Sequence, residues 1–371
     1  MSRTAQRVLT AILIALLLTS GIPCHAAPPV LSAEAYVLMD ADSGRVLLSH
    51  NETQEKAIAS TTKIMTALVA LEHGSLDDTV TVKRSHLKEG SSMYLNEGET
   101  LTLEALLYGL MLPSGNDAAE CIADHCGGDV ETFVGWMNEK AAALGMEHTS
   151  FQNPSGLDAE GHHSCAIDMA RLAAFAVSDP TFLRLCSTET ARTGTRSMSN
   201  HNKLLASCPG CIGLKTGYTG AAGRTLVTCC ERDGLRLVAV TLHDSSDWQD
   251  HAAMYDYGFS AFRSARCVRR GDVCATVAVR GGAQSMVRAA AERSYSYPLA
   301  EGESLSTRLE LADSVAAPVA AGERLGELVV SLNGEEIGRI ALTAEDPVDA
   351  VPVRQETGLF VRLLNRFRKA G

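Results

Sequence analysis

The spacing of hydrophobic positions changes near residue 265 and divides the chain into two parts. Before this point, apolar residues at helical spacing predict helices over residues 60–72, 103–110, 130–144 and 252–262. Apolar runs that suit β-structure predict strands over residues 36–39, 45–48, 212–216, 225–229 and 235–242. Because strands come first and again after most of the helices, we predict one sheet built from both ends of this part.

The second part, residues 265–350, has short alternating segments and few helical periods. Two of these segments, 328–332 and 337–342, flank Asn333-Gly334, a dipeptide that favours a tight hairpin turn. We therefore predict a separate all-β, sandwich-like domain that follows a mixed domain of residues 27–264.

The beginning of the chain has the order of a targeting segment. Residues 1–26 start with Arg3 and Arg7, continue with an apolar run too short for a comfortable membrane span, and end in small residues. This order predicts a secretory signal peptide, with an uncleaved anchor as the alternative. A lipid-modified Cys24 is disfavoured, because Pro23 stands where a small residue would be needed.

The end of the chain, residues 351–371, predicts a basic amphipathic helix. Its apolar positions share one helical face and its cations take the rest; they are Leu359, Phe360, Leu363, Leu364 and Phe367, and Arg362, Arg366, Arg368 and Lys369. In an acidic protein this pattern favours a helix in a membrane interface over a terminal helix docked on the β-domain. We predict an exported protein at the outer face of the cytoplasmic membrane, in the cell wall or in the periplasmic space.

Charge and cysteine content narrow the possible partners. The formal net charge of −11 argues against nucleic acid as a partner.

Cys208-Pro209-Gly210-Cys211 and Cys229-Cys230 suggest a zinc site, but neighbours on a strand point to opposite faces of the sheet. We favour buried thiols with a few disulfides, as expected of an exported protein, and the sequence does not indicate which cysteines pair.

Ser60-Thr61-Thr62-Lys63 is the first candidate for chemistry, at the predicted start of a helix. A spacing of three puts both side chains on one face, next to the positive end of the helix dipole. A serine becomes a nucleophile when a base accepts its proton, and Lys63 can be that base if burial and a second cation keep it neutral. Alone, this motif is as typical of a solvated helix face.

Two further segments are candidates for chemistry when they are considered together with Ser60–Lys63. Ser114-Gly115-Asn116 lies between two predicted helices, where an ordinary turn and helix cap is the alternative. Lys215-Thr216-Gly217 lies in an apolar strand, where a lysine is costly unless its charge is used or the strand is an edge that faces water. Gly217 would allow a substrate backbone to approach closely.

Together these segments have the order of the S-x-x-K, S-x-N and K-T-G signature of penicillin-binding proteins and class A β-lactamases. Residues 90–95, 107–118, 153–157 and 215–219 extend the match, and the chain resembles the low-molecular-weight D-alanyl-D-alanine carboxypeptidases over essentially its whole mature length. This resemblance implies an α/β (α+β) catalytic domain of the β-lactamase/transpeptidase type, with an antiparallel sheet and a helical cluster, followed by an all-β domain.

The resemblance also implies an activity: hydrolysis of the terminal D-alanyl-D-alanine bond of peptidoglycan pentapeptide stems during cell-wall maturation, with no metal or cofactor. Ser60 would be the nucleophile, Lys63 its proton acceptor and Ser114 a proton relay. The substrate-binding residues would be Asn116, Lys215, Thr216, Gly217 and Tyr218, and the backbone N–H groups of Ser60 and Tyr218 would form the oxyanion hole. β-Lactam antibiotics would acylate Ser60.

The chain departs from the family at two places. Ser155 stands where relatives often have histidine, and His243-Asp244 follows strand 235–242, where relatives carry an arginine for the substrate's terminal carboxylate. Thr216, Arg224 and His243 are the candidates to replace that arginine. His162-His163 lie in a loop without paired metal-ligand spacing, so we interpret them as structural.

Three alternatives remain open. A β-lactamase of the same fold would need a glutamate to activate water, and we find no convincing Glu-x-x-Leu-Asn segment between Ser114 and Lys215. A DD-endopeptidase would cleave cross-links with the same residues. A non-catalytic penicillin-binding scaffold is the third alternative, against which the intact Ser60, Lys63 and Lys215 argue.

Overall fold

The computed structural model describes residues 27–352, which separate into two compact units after Ser264. The first unit contains a sheet covered by helices, and the second consists of strands. The predicted fold class, a mixed domain followed by an all-β domain, is therefore confirmed. The predicted signal peptide and amphipathic tail lie outside the described residues, apart from the first two positions of the tail.

The strands of the first unit form one main sheet and two small hairpins. In chain order they are β1 (Ala35–Asp40), β2 (Val46–His50), β3 (Thr79–Thr81), β4 (Thr100–Thr102), β5 (Thr190–Thr193), β6 (Arg196–Ser199), β7 (Cys211–Thr219), β8 (Gly223–Arg232) and β9 (Leu235–Leu242). The main sheet has the order β2-β1-β9-β8-β7 and is antiparallel throughout. The N-terminal hairpin therefore joins three strands from the end of the unit, as the sequence predicted.

The helices of the first unit lie mostly between these two groups of strands. They are α1 (Lys63–His73), α2 (Leu103–Met111), α3 (Asn116–Gly127), α4 (Val130–Ala143), α5 (Ala166–Ala176), α6 (Pro180–Ser187), α7 (Leu204–Ser207) and α8 (Asp247–Ala261), with 3-10 turns at Ala59–Thr62 and Arg84–His86. Side-chain caps fix several starts; for example, Thr102 accepts from Ala105 N at 3.2 Å at the start of α2.

The main sheet separates two hydrophobic cores because its side chains alternate between faces. Val227 and Val240 belong to the core shared with α1 to α6. Leu226 and Leu237 belong to the opposite core, which includes Tyr255 of α8. The sheet is thus buried on both faces.

Two helices begin at different residues from those predicted. The predicted helix 60–72 is a 3-10 turn at Ala59–Thr62 followed by α1, so Ser60 precedes the helix proper. The predicted helix 252–262 begins at Asp247, because its first turn is polar and carries no apolar period. Acidic residues suit this position at the positive end of the helix dipole, and two of them, Asp247 and Asp250, lie in the first turn.

The second unit is built on a six-stranded sheet. Its strands are β10 (Phe262–Val268), β11 (Val273–Arg280), β12 (Met286–Ala291), β13 (Tyr295–Ala300), β14 (Leu305–Leu311), β15 (Ser314–Ala316), β16 (Arg324–Leu332) and β17 (Glu335–Ala344). The large sheet has the order β14-β16-β17-β12-β11-β15, and β10 pairs with β13. The predicted hairpin turn at Asn333-Gly334 joins β16 to β17, with both residues at positive φ.

Within residues 27–352, no helix combines the length and the apolar character that crossing a membrane requires.

Candidate active site

Ser60 lies on the 3-10 turn between two close backbone contacts. A Cβ added at Gly156 would come within 1.9 Å of the Ala59 carbonyl oxygen, and one added at Gly217 within 3.1 Å of the Ser60 backbone nitrogen. At Gly217 the shortest contact of an added Cβ would be with Thr225 Oγ1, at 2.4 Å, so a side chain would be crowded at both glycines. Ala59 itself adopts a positive φ of 47°. The absence of a side chain at Gly217 thus gives room to Thr225 and to the Ser60 turn, and room for a substrate at Gly217 stays a prediction.

Lys63 is held one turn after Ser60 by three acceptors. Its Nζ lies 2.9 Å from Ser60 Oγ, 2.8 Å from Asn116 Oδ1 and 2.5 Å from the carbonyl oxygen of Ser155. Since the third contact uses the backbone of residue 155, the serine that stands there in place of histidine leaves it intact. None of the ion pairs found within residues 27–352 includes Lys63.

The position of Lys215 follows from the register of the sheet. Lys215 on β7 is paired with Val227 on β8, and Val227 with Val240 on β9. Cross-strand partners share a face, so the Lys215 side chain points toward the core that contains α1. Its Nζ donates to the carbonyl oxygen of Thr216 at 2.9 Å, and the side chain is buried.

Both buried lysines have lowered pKa values. Burial is the first cause of the low pKa of Lys63, and the positive charge of Lys215 is the second. Burial lowers the pKa of Lys215 from 10.5 to about 7. The site therefore disfavours two ammonium ions at once, and burial together with the Lys215 charge favours the neutral form of Lys63 beside the Ser60 hydroxyl.

Ser114 is strained and lacks a partner. Its φ is 65°, an unusual value for a residue other than glycine, and within the described chain its buried Oγ has no hydrogen-bond partner. Strain and an unused hydroxyl together are typical of a functional position.

Asn116 is held by hydrogen bonds at both ends of its side-chain amide. Its Oδ1 accepts from Lys63, its Nδ2 donates to the carbonyl oxygen of Glu89 at 2.8 Å, and the side chain is buried. In this conformation the amide oxygen orients Lys63, and both ends of the amide are hydrogen-bonded to other groups of the protein.

The cavity next to Ser60 has a volume of about 260 Å³. It is lined by Ser60, Ser91, Ser114, His201, Thr216, Gly217, Tyr218, Arg224, Asp247 and Trp248. The structure therefore brings residues of all three predicted motifs to one cavity. Sequence reasoning did not assign roles to Ser91, His201, Asp247 and Trp248, which belong to loops and helix ends without a periodic signal.

An anchored guanidinium forms one wall of this cavity. Arg224 Nη2 donates to both carboxylate oxygens of Asp247, at 2.7 and 2.9 Å, and the guanidinium carbon lies 5.6 Å from the ring centroid of Trp248. Asp247 is buried, whereas the Arg224 side chain is 43% exposed. The other two nitrogens of Arg224 have no hydrogen-bond acceptor among residues 27–352 and can receive a ligand.

The structure also shows where two of the histidines discussed in the sequence analysis lie. His243 lines a neighbouring cavity of about 430 Å³, shared with Tyr218 and Arg224, and is not part of the wall around Ser60. His162 is buried; its Nδ1 accepts from Gln152 N at 3.0 Å and its Nε2 lies 2.8 Å from Thr62 Oγ1. His162 therefore supports the residue two positions after Ser60.

Two family models match the chain. The model described as D-alanyl-D-alanine carboxypeptidase matches residues 23–246, and the model described as the C-terminal domain of penicillin-binding protein 5 matches residues 262–350.

Curated relatives match over nearly the whole length. D-alanyl-D-alanine carboxypeptidase DacF of Bacillus subtilis is 33% identical over 90% of this chain and 88% of its own length. D-alanyl-D-alanine carboxypeptidase DacD of Escherichia coli is 31% identical over 94% of this chain and 93% of its own. Among solved structures, penicillin-binding protein 5 from Haemophilus influenzae superposes with a TM-score of 0.74 at 28% identity, covering 87% of this chain and 99% of that one.

The buried charge of Lys215 predicts a pH-dependent cost in stability. An unfolded lysine titrates near 10.5, so between about pH 7 and 10.5 the unfolded chain binds more protons than the folded one, and wild-type stability rises with pH. We expect Lys215→Met to be more stable than wild type at and below neutral pH, by roughly 5 kcal/mol at most, with the difference vanishing at high pH.

Urea unfolding followed by tryptophan fluorescence measures this difference, because Trp136 and Trp248 both lie in the first unit. Lys203→Met, which removes an exposed lysine, is the matched control and should change stability little at any pH. A Lys215→Met advantage that does not depend on pH would contradict the argument.

Proposed function

Because the chain belongs to the family of serine D-alanyl-D-alanine carboxypeptidases, we propose that Ser60 is the nucleophile with which it hydrolyses the terminal D-alanyl-D-alanine bond of peptidoglycan stems. The chain is a penicillin-binding carboxypeptidase, and β-lactams acylate the same hydroxyl. In this proposal residues 27–264 form the catalytic domain and residues 265–350 an accessory β-domain.

The contact between Lys63 Nζ and Ser60 Oγ, at 2.9 Å, carries this proposal. Burial and the neighbouring Lys215 charge lower the pKa of Lys63, so its lone pair accepts the serine proton as Ser60 attacks the carbonyl carbon. No other titratable side chain in the described chain hydrogen-bonds to Ser60 Oγ. The resulting ammonium is stabilised by Asn116 Oδ1 and the Ser155 carbonyl oxygen.

Ser114 passes a proton to the leaving group. Its Oγ is unpaired and its residue lines the cavity, so the hydroxyl is available to exchange a proton between Lys63 and the departing D-alanine nitrogen. Water then attacks the acyl-enzyme and the same groups work in reverse.

The oxyanion of the tetrahedral intermediate is stabilised by the backbone N–H groups of Ser60 and Tyr218. The closeness of β7 to the Ser60 turn supports this pair, since a Cβ on Gly217 would lie 3.1 Å from Ser60 N. Thr216 lines the cavity and holds the substrate along β7. Lys215 keeps Lys63 neutral, and Asn116 orients it.

Ser60→Ala tests the nucleophile. We expect complete loss of labelling by a fluorescent penicillin and of D-alanine release from diacetyl-Lys-D-Ala-D-Ala, because no acyl-enzyme can form. Lys63→Met should slow acylation by roughly 10²–10⁴-fold while leaving the nucleophile present. Ser178→Ala, at an exposed serine, is the control and should label normally; normal labelling of Ser60→Ala would refute the assignment.

We propose that Arg224 binds the terminal carboxylate of the substrate. Lys63 and Lys215 are buried and their pKa values are lowered, so they are poorly suited to bind the carboxylate of a substrate that enters from solvent. Arg224 lines the cavity with Thr216, and its guanidinium presents two nitrogens that Asp247 does not use. His243 lies in the neighbouring cavity, so of the three candidates Arg224 with Thr216 fits best.

Arg224→Gln should reduce the preference for a free carboxylate. Wild type should hydrolyse a peptide ending in D-Ala-D-Ala with a far higher kcat/KM than the same peptide with a C-terminal amide. In the variant, the ratio of these two kcat/KM values should be roughly 10- to 100-fold smaller. Asp247→Asn should lose part of it, because the guanidinium is no longer anchored. His243→Gln is the control; if it removes the preference and Arg224→Gln does not, the carboxylate site is at His243.

We propose export through residues 1–26 and attachment to the outer face of the membrane through residues 351–371. The pattern of the tail supports the second step, since its apolar face and cations suit an anionic interface.

A chain ending at residue 352 should therefore fail to float with vesicles of phosphatidylcholine and phosphatidylglycerol and should keep its peptidase activity. The full chain should float, and replacing Phe360 and Phe367 by serine should abolish flotation. Asn365→Ser, on the polar face, is the matched control. Equal flotation of full and shortened chains would contradict a role of the tail.

A further inference from the structure

Three thiols meet at the start of the strand that carries Lys215. Cys208 precedes β7, Cys211 is its first residue, and Cys230 lies on β8. The Sγ atoms of Cys208 and Cys230 are 3.7 Å apart, and both residues are buried. This distance is a van der Waals contact, from which a small side-chain movement reaches the length of a disulfide bond.

Cys211 approaches Cys230 from the neighbouring strand. The two residues are paired in the register of β7 and β8, so their side chains stand next to each other on one face of the sheet. The turn at Pro209-Gly210, closed by a bond from Cys211 N to the Cys208 carbonyl oxygen at 3.1 Å, brings both thiols to the same partner. Cys230 can thus bond to either, but not to both at once.

The surroundings of these thiols favour thiolate chemistry. Arg232 Nη2 lies 3.3 Å from Cys208 Sγ, and Arg232 Nε donates to the Pro209 carbonyl oxygen at 2.8 Å. The hydrogen bond between the two thiols lowers the pKa of the half-buried Cys211 and raises that of Cys230, so Cys211 is the thiol of this pair that ionises first. In contrast, burial raises the pKa of Cys121 and Cys165 to about 12, which makes those thiols inert.

A metal does not explain the cluster. Within residues 27–352, no three histidine, cysteine, aspartate or glutamate side chains are arranged to hold a metal ion.

We propose that Cys208, Cys211 and Cys230 form a dithiol–disulfide site in which Cys230 is the shared partner and Cys211 the entry point. The Cys211 thiolate attacks a low-molecular-weight disulfide and releases one thiolate from it. Cys230, after losing its proton, attacks Cys211 Sγ and releases the second thiolate. Cys208 then displaces Cys211 from Cys230. In sum, two protein thiols are oxidised and one external disulfide is reduced to two thiols.

The Cys208–Cys230 bond closes the stretch of chain that includes Lys215 and Thr216. A covalent link across this loop restricts the unfolded chain and ties the segment before β7 to β8. The oxidised protein is therefore expected to resist unfolding better than the reduced one. This inference does not depend on the chemistry of Ser60.

The test uses the full chain, purified reduced and equilibrated with oxidised and reduced glutathione. Free thiols are trapped with N-ethylmaleimide and the protein is digested. Mass spectrometry should then find the peptide that contains Cys230 linked to the peptide that contains both Cys208 and Cys211, at a mass two hydrogens below the sum of the two peptides. Cys211→Ser should leave a Cys208–Cys230 bond that forms more slowly, and Cys208→Ser a Cys211–Cys230 bond. Cys274→Ser is the control and should oxidise like wild type.

The urea midpoint should be higher for oxidised than for reduced wild type, and Cys230→Ser should show no such difference. If Cys230→Ser does not fold, the two single variants at Cys208 and Cys211 still decide the pairing. Free thiols at all three positions at every glutathione ratio, or a disulfide that omits Cys230, would overturn the proposal.

Discussion

The site depends on two lysine side chains buried near each other without a carboxylate hydrogen-bonded to Lys63. Burial disfavours each ammonium ion, and the charge of Lys215 further disfavours that of Lys63. A protein tolerates this cost only where the surrounding structure fixes both groups. Here the register of β7 fixes Lys215, and three acceptors fix Lys63. In the proposed mechanism, the lowered pKa of Lys63 allows its amine to accept the proton of the Ser60 hydroxyl.

The close packing of the backbone around Ser60 follows from this requirement. The lysines can approach only if β7, the Ser60 turn and the loop at Ser155 come together without intervening side chains. Gly217 and Gly156 provide that space, and the resulting contacts hold Ala59 and the turn in a conformation that an uninterrupted helix would not have. A Cβ at Gly156 would clash with the backbone of Ala59, and one at Gly217 would clash first with Thr225 Oγ1 and then crowd the Ser60 turn, so glycines from two separate segments leave space around Ser60.

The sequence predicted the parts of the fold that depend on periodicity. The antiparallel sheet built from both ends and the all-β domain after it follow from alternating and helical spacing, and the three motifs follow from a shared order. It did not predict that Ser60 precedes the helix, because that depends on contacts with distant glycines. It also missed Asp247, since a polar first turn has no apolar period. The role of Asn116 in holding Lys63 required the packing of α3 beside α1, which no local pattern encodes.

The arrangement separates catalysis from recognition by the degree of burial. A group that must exchange protons near neutral pH benefits from burial, because desolvation brings a lysine pKa toward that range. A group that must attract an anion benefits from solvent exposure and from a permanent charge, which an arginine side chain provides. In the proposed site, Arg224 is this exposed group at the cavity rim, while Lys63 and Lys215 are the buried groups inside. Asp247 orients the guanidinium and, being buried behind it, leaves the arginine as the group that faces the cavity. In this proposal, Arg224 on β8 supplies to the cavity the charged group that the family resemblance would place after β9.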